Sequence, residues 1–262
     1  CHPSFQKTVT PMIELKNLST GYGRHTVSAN LNATLQSGRL TCLLGPNGVG
    51  KSTLLRTLCG FQPPLEGRME MDGKDMAQLS RKEMSRSIGV VLTERPDVTD
   101  MRASDMVALG RTPYTGFWGR LGKEDRNRVD EAMQLVGITH LAHRMIHTLS
   151  DGERQKVMIA KALAQQTPVI LLDEPTAFLD FPSKVETMRL LHRLAHESGK
   201  TVFLSTHDLE TAIQLSDDLW LLSADGLESG TADSLSADGS LERFVSCKGI
   251  RFDAQRKVFY LS

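Results

Sequence analysis

The residues best equipped for chemistry lie in one unbroken run, Gly45-Pro46-Asn47-Gly48-Val49-Gly50-Lys51-Ser52-Thr53, which fits the spacing G-x-x-x-x-G-K-[ST] in full. Such a run is a phosphate cradle. Its glycines let backbone N–H groups close on an anion, the Lys51 ammonium reaches the outer phosphates, and the Ser52 hydroxyl is a hard oxygen ligand for Mg²⁺. A turn without a ligand requires neither the lysine nor the serine. A second group is acidic. Asp173 and Glu174 close the apolar run 168–172, with Asp173 suited to the cation that Ser52 holds and Glu174 placed to polarise an attacking water. His207 stands just past the strand-like residues 201–205, a position that is structural as often as chemical. Tyr22, in Thr20-Gly21-Tyr22-Gly23, is either a surface residue or a platform for a base. Ser150 and Glu153 have S-x-x-E spacing, which a helix start alone explains as a capping box.

These side chains need elements to carry them to one place. Residues 39–44 read as a short buried strand and 53–59 as a helix, so the phosphate loop joins a strand to a helix N-terminus, whose unpaired donors and dipole favour an anion. The strands ending at 172 and 205 would bring Asp173, Glu174 and His207 to the same carboxyl edge, where open α/β sheets bind ligands. Short β-like segments over 12–38 predict a small antiparallel sheet, with a turn and edge strand at 66–73 and another short strand at 88–92. Apolar residues then recur at helical spacing over 104–110, 123–136 and 152–166, which predicts a helical subdomain inserted at about 95–166. A further helix is expected from about 183 to 197.

The chain has 262 residues, enough for a large core, and its 31 basic and 31 acidic residues cancel to a formal net charge of +0. That balance argues against a general polyanion binder, so no nucleic acid is expected. Four scattered cysteines without C-x-x-C spacing point to free thiols in a reducing compartment. No apolar run approaches the roughly 20 residues that span a bilayer. Residues 1–11 are read as a leader or a remnant of expression, 12–235 as the main domain, and 236–262 as an extension whose 249–253 and 257–261 could pair as a hairpin.

In this order and spacing, residues 45–53, 149–153, 170–174, Leu179-Asp180 and Thr206-His207 resemble the ATP-binding cassette (ABC) ATPases. The resemblance spans about 12–230. It implies an α/β fold, a P-loop NTPase with a mainly parallel core sheet, an N-terminal antiparallel β subdomain and an inserted helical subdomain. It also implies that Tyr22 stacks on adenine, Asp173 organises Mg²⁺, Glu174 is the catalytic base, and His207 contacts the γ-phosphate of ATP. Ser150 and Gly152 would face the γ-phosphate of ATP held by the other chain of a homodimer, and Asp180 would cross that interface. Two departures stand out. The family's L-S-G-G-Q reads Leu149-Ser150-Asp151-Gly152-Glu153 here, which strengthens the helix start yet brings a carboxylate toward a phosphate. Glu94 replaces a glutamine that ligates Mg²⁺, and its oxygens suit the same cation.

The segment Val107-Ala108-Leu109-Gly110-Arg111-Thr112-Pro113 is similar to V-x-L-G-R-x-P of cassettes that power import of iron-siderophore complexes, haem and cobalamin, although a helix ending in glycine before proline explains it too. The implied partners are two membrane permease subunits and, indirectly, a periplasmic or surface binding protein. The implied location is the cytoplasmic face of the inner membrane, held peripherally. A soluble ATPase of iron-sulfur cluster assembly is the alternative, and Phe117-Trp118 is either a contact for a membrane subunit or a packed corner.

Overall fold

The computed structural model describes residues 11–93, 100–116, 119–246, 250–253 and 258–261. Glu94, Phe117, Trp118 and residues 1–10 lie outside them. The chain opens with two long antiparallel strands, β1 (Pro11–Tyr22) and β2 (His25–Gln36). Buried Ile13 and Leu15 follow a period of two, and Leu18 breaks it, yet all three face the core. A register shift between Leu15 and Leu18, with Asn17 at φ 51, absorbs the odd residue and restores the apolar face.

β3 (Leu40–Leu44) leads through the phosphate loop into α1 (Lys51–Leu58). β4 (Glu66–Met71) and the two-residue β5 (Lys74–Asp75) then complete a four-stranded sheet in the order β2-β1-β4-β5. After α2 (Arg81–Ser87) comes β6 (Ile88–Val91), followed by the helical segment α3 (Ala103–Ala108), α4 (Lys123–Val136) and α5 (Asp151–Ala164). β7 (Val169–Leu172), α6 (Phe181–Ser198), β8 (Thr201–Ser205), α7 (Leu209–Leu215) and β9 (Asp218–Ser223) follow. The antiparallel edge strand β10 (Gly226–Gly230) completes a six-stranded sheet in the order β10-β9-β3-β8-β7-β6. Its other five strands are parallel. β3, which feeds the phosphate loop, is therefore central, and β8 separates it from β7.

Strands buried on both sides read as unbroken apolar runs, and their alternation assigns each residue to a face. Leu40, Cys42, Leu44, Ile170, Leu172, Val202 and Leu204 pack with α3 to α7. Leu43, Val169, Leu171, Phe203 and Trp220 pack against α1 and the four-stranded sheet. Phe203 and Trp220 meet edge to face with centroids 4.9 Å apart. The helical segment shares the first core, so its helices are packed onto the sheet that carries the site.

Arg111 ties this segment together. It is buried, donates to the Ala164 carbonyl at 2.7 Å and to Gln166 Oε1 at 2.9 Å, pairs with Asp125 at 2.9 Å, and lies 4.1 Å from the Tyr114 ring centroid. Beside it, a Cβ on Gly110 would lie 2.2 Å from the Lys161 carbonyl oxygen, so this close approach to α5 admits only glycine.

The C-terminal part continues with α8 (Ala232–Ala237) and α9 (Ser240–Ser246). Leu235 and Leu241 lie in the main core, and Val245 is buried. β11 (Ile250–Asp253) and β12 (Val258–Leu261) pair as an antiparallel ladder. Among the described residues no helix is long and apolar enough to cross a membrane.

Candidate active site

α1 lacks both a side-chain cap and an acid in its first turn, whereas α3 and α4, also without a side-chain cap, carry acids there. Ser80, Ser150, Asp180 and Asp208 cap α2, α5, α6 and α7 with side-chain oxygens. The N-cap of α1 is Gly50, which offers no side chain, and no acid stands in the first turn. The orphan N–H donors and the positive dipole end are thus left for an anion. Gly50 takes φ 111, and a Cβ there would lie 2.6 Å from Val27 Cγ1, so the loop curls only because this residue is glycine. Lys51 is 6% exposed and folds over the loop, donating to the carbonyls of Gly45 at 2.8 Å and Pro46 at 3.1 Å. Its Nζ also stands 3.5 Å from His207 Nδ1.

Three strand ends converge here. Ser52 Oγ lies 3.4 Å from Asp173 Oδ1, linking the start of α1 to the end of β7. These are two hard oxygen groups on facing elements, a donor set that fits Mg²⁺. The next acid, Glu174, has φ 46, a left-handed conformation that costs a non-glycine residue about 1 kcal/mol or more. Glu174 Oε1 contacts His207 Nε2, so the imidazole spans the space between the carboxylate and Lys51.

Two residues that sequence reasoning passed over hold these groups. Ser205, fully buried at the end of β8, donates to Asp173 Oδ1 at 2.7 Å and accepts from the Glu174 N–H at 2.9 Å. Thr93 donates to the Asp173 carbonyl at 2.7 Å. The available signal was weak: a hydroxyl closing an otherwise apolar strand. Glu94, the expected metal ligand, lies outside the described residues.

Tyr22 is 54% exposed at the end of β1, and its hydroxyl accepts from Thr53 Oγ1 at 3.3 Å, which sets the ring beside the start of α1. Ser150 and Gly152 stand at the start of α5. Ser150 Oγ accepts from the Glu153 N–H at 3.3 Å, and the Glu153 carboxylate turns back to accept from the Ser150 N–H at 2.9 Å. That hydrogen bond, with the Ser150 hydroxyl and Arg144 adding to it, holds the Glu153 carboxyl below its ordinary range. The carboxylate is thus turned into the cap and toward Arg144 Nη1 at 3.4 Å. Gly152 faces α6, with Ser183 Oγ 3.5 Å from where a Cβ would stand. Asp180 caps α6 by accepting from the Ser183 N–H at 3.1 Å, and its carboxyl is held low by its bonds to Ser183. A cleft lined by Asp151, Arg154, Asp173, Glu174 and Phe178 separates the start of α5 from the acids after β7.

Residues 28–177 match the family described as ABC transporter. The chain is 41% identical over 204 residues to the ferric enterobactin transport ATP-binding protein FepC of Escherichia coli (strain K12), covering 78% of this chain and 75% of that one. It is 35% identical over 250 residues to the petrobactin import ATP-binding protein FpuC of Bacillus anthracis, covering 95% and 92%. Both relatives bear names of transport or import subunits, and neither is an iron-sulfur assembly ATPase. Among solved structures, the dimeric bacterial ABC transporter cassette MJ0796 superposes with a TM-score of 0.72 at 30% identity, covering 84% of this chain and 99% of that one. The phosphate loop at the open start of α1, the acids after β7 and the capped start of α5 all lie in a chain that belongs to the ABC transporter family.

Proposed function

We propose that the chain is the ATP-hydrolysing subunit of an importer for an iron chelate, a siderophore complex or haem, or for cobalamin. The observation that carries the ATPase reading is the convergence of Ser52, Asp173, Glu174 and His207 on the uncapped start of α1. The cargo class rests on the relatives, whose names specify enterobactin and petrobactin, and on the segment 107–113.

In this reading the backbone of residues 45–50 and the Lys51 ammonium bind the β- and γ-phosphates, and the Tyr22 ring carries the adenine. Ser52 and Asp173, with Glu94 as a further candidate, would hold Mg²⁺, which when bound neutralises charge on the phosphate oxygens. Glu174 accepts a proton from water attacking the γ-phosphorus in line, and ADP leaves. His207, held at Nε2 by Glu174, directs Nδ1 toward the transferred group. Ser150 and Gly152 would complete the site from a second copy of the chain, their helix start facing the γ-phosphate. Two permease subunits would receive the resulting closure and opening at the cytoplasmic face of the membrane, with a binding protein delivering cargo from the far side.

Glu174→Gln keeps the shape and removes the base. The variant is expected to bind ATP while turnover falls by about 10²-fold or more; ordinary turnover would overturn the assignment of Glu174. For the importer reading, the native complex is expected to co-purify with a polytopic membrane protein, and co-purification with soluble assembly proteins alone would overturn it.

A further inference from the structure

At the end of the core sheet remote from the phosphate loop stands a cluster that the nucleotide chemistry does not use. His192 and His196 are four residues apart on α6 and so share one face near its C-terminus. Their rings lie nearly side by side, with centroids 4.2 Å apart and planes inclined by 31°. Asp217, immediately before β9, presents its carboxylate to the same place, with both oxygens 3.0 Å from His196 Nε2.

We propose that His192, His196 and Asp217 form a binding site for one divalent transition-metal ion that favours imidazole ligands, such as zinc, cobalt or nickel. The three ligand atoms already lie within 4.8 Å of one another. A tetrahedral ion with bonds of about 2.0–2.2 Å needs them about 3.3–3.5 Å apart, so the His196–Asp217 pair at 3.0 Å opens slightly and any longer separation closes, adjustments that ring rotations of two incompletely buried histidines supply. The carboxylate is held in advance. Asp217 Oδ2 accepts from the Leu40 N–H at 2.7 Å, and the Asp217 N–H donates to the Leu40 carbonyl at 2.9 Å, so the sheet itself fixes its position. Oδ1, now in contact with His196 Nε2, would take the cation in place of the proton between them, and water would fill the fourth position.

Local charge agrees with the chemistry. Asp217 and Asp218 bring two carboxylates against one guanidinium, and Arg39 spends itself on Asp218 at 2.8 Å and on the Asp217 carbonyl at 3.1 Å. Two imidazole nitrogens and one carboxylate select first-row transition metals over Mg²⁺ or Ca²⁺, which prefer oxygen throughout. The site is also distinct in space from the nucleotide's cation. It adjoins Leu40 at the start of β3, and the phosphate loop leaves the other end of that strand, about 13 Å away at 3.3 Å per residue.

The test uses the full chain stripped with chelator, titrated calorimetrically with Zn²⁺ and spectroscopically with Co²⁺, in excess Mg²⁺. It is run beside His192→Gln, His196→Gln and the double variant. The double variant is expected to lose one bound ion per chain and the visible absorption of tetrahedral Co²⁺, with each single variant weakening binding at least about tenfold. Titrations that superimpose for all four proteins would overturn the proposal. Unfolding curves without metal check the fold, and should the double variant fail to fold, unchanged affinity in both single variants would still overturn it.

Discussion

Ser205 is the residue on which both acids after β7 depend for their positions, since one hydroxyl donates to Asp173 and accepts from the Glu174 N–H. Its replacement by alanine leaves the part-buried Glu174 N–H without this partner and Asp173 Oδ1 with only the Ser52 hydroxyl, at about 1 kcal/mol. Ser205→Ala is expected to lower kcat for ATP by about tenfold with little change in KM, as a positioning residue should, and Ser205→Thr to restore part of it; steady-state ATPase kinetics check both. Cys42 and Cys59 give a prediction from burial alone. Burial pushes both thiols up to about 12, so neither is nucleophilic near neutrality. Iodoacetamide at pH 8 is expected to leave both unmodified in the folded protein and to label them in denaturant, as read by mass spectrometry. At this scale the sequence was legible where chemistry is local. Lys51 and Ser52 are fixed by spacing within one loop. Ser205 was not, because its role arises from β7 and β8 lying side by side, a relation between residues 32 apart in sequence from Asp173.

Among the elements, α5 shows how a departure from a family pattern acquires a physical meaning. The unusual Glu153 is the far half of a capping box, so its charge is spent on the Ser150 N–H at the helix start. Its carboxyl is held below the ordinary 4.5 by that bond first. A depressed carboxyl stabilises the fold above its unfolded value and loses that contribution as pH falls through the folded one. Glu153→Ala is therefore expected to cost about 1 kcal/mol at pH 7, with the gap to the parent closing as pH drops below about 4, followed by denaturant unfolding at a series of pH values. The boundaries of α4 were readable because its periodicity is uninterrupted and Gly137 ends it. The bulge at Asn17 was not, since a spacing of three between buried leucines looks irregular until the partner strand shows the shift. Segment 107–113 carried a resemblance before it carried a physical reason, and that reason is the buried Arg111 joining α4 to the end of α5.

At the scale of the whole molecule, one sheet does two things. Its carboxyl edge gathers the phosphate loop, Asp173, Glu174 and His207, and its opposite edge holds Asp217 beside the histidines of α6. The parallel sheet was foreshadowed by apolar strands ending in polar chemistry, and its strand order was not. The burial of Leu241 was not, because a short helix in a chain end offers no periodicity long enough to read. The start of α5, with Ser150 and Gly152, is packed toward Arg144 and α6, and its Asp151 lines the same cleft as Asp173 and Glu174; in the proposed dimer this helix start meets the phosphate loop of the second copy. The most direct test of that two-chain site is the mass in solution of Glu174→Gln, measured by light scattering with and without ATP. The expected result is a single chain without nucleotide and a stable species of twice the mass with ATP; a variant that binds ATP and remains a single chain would contradict the shared site.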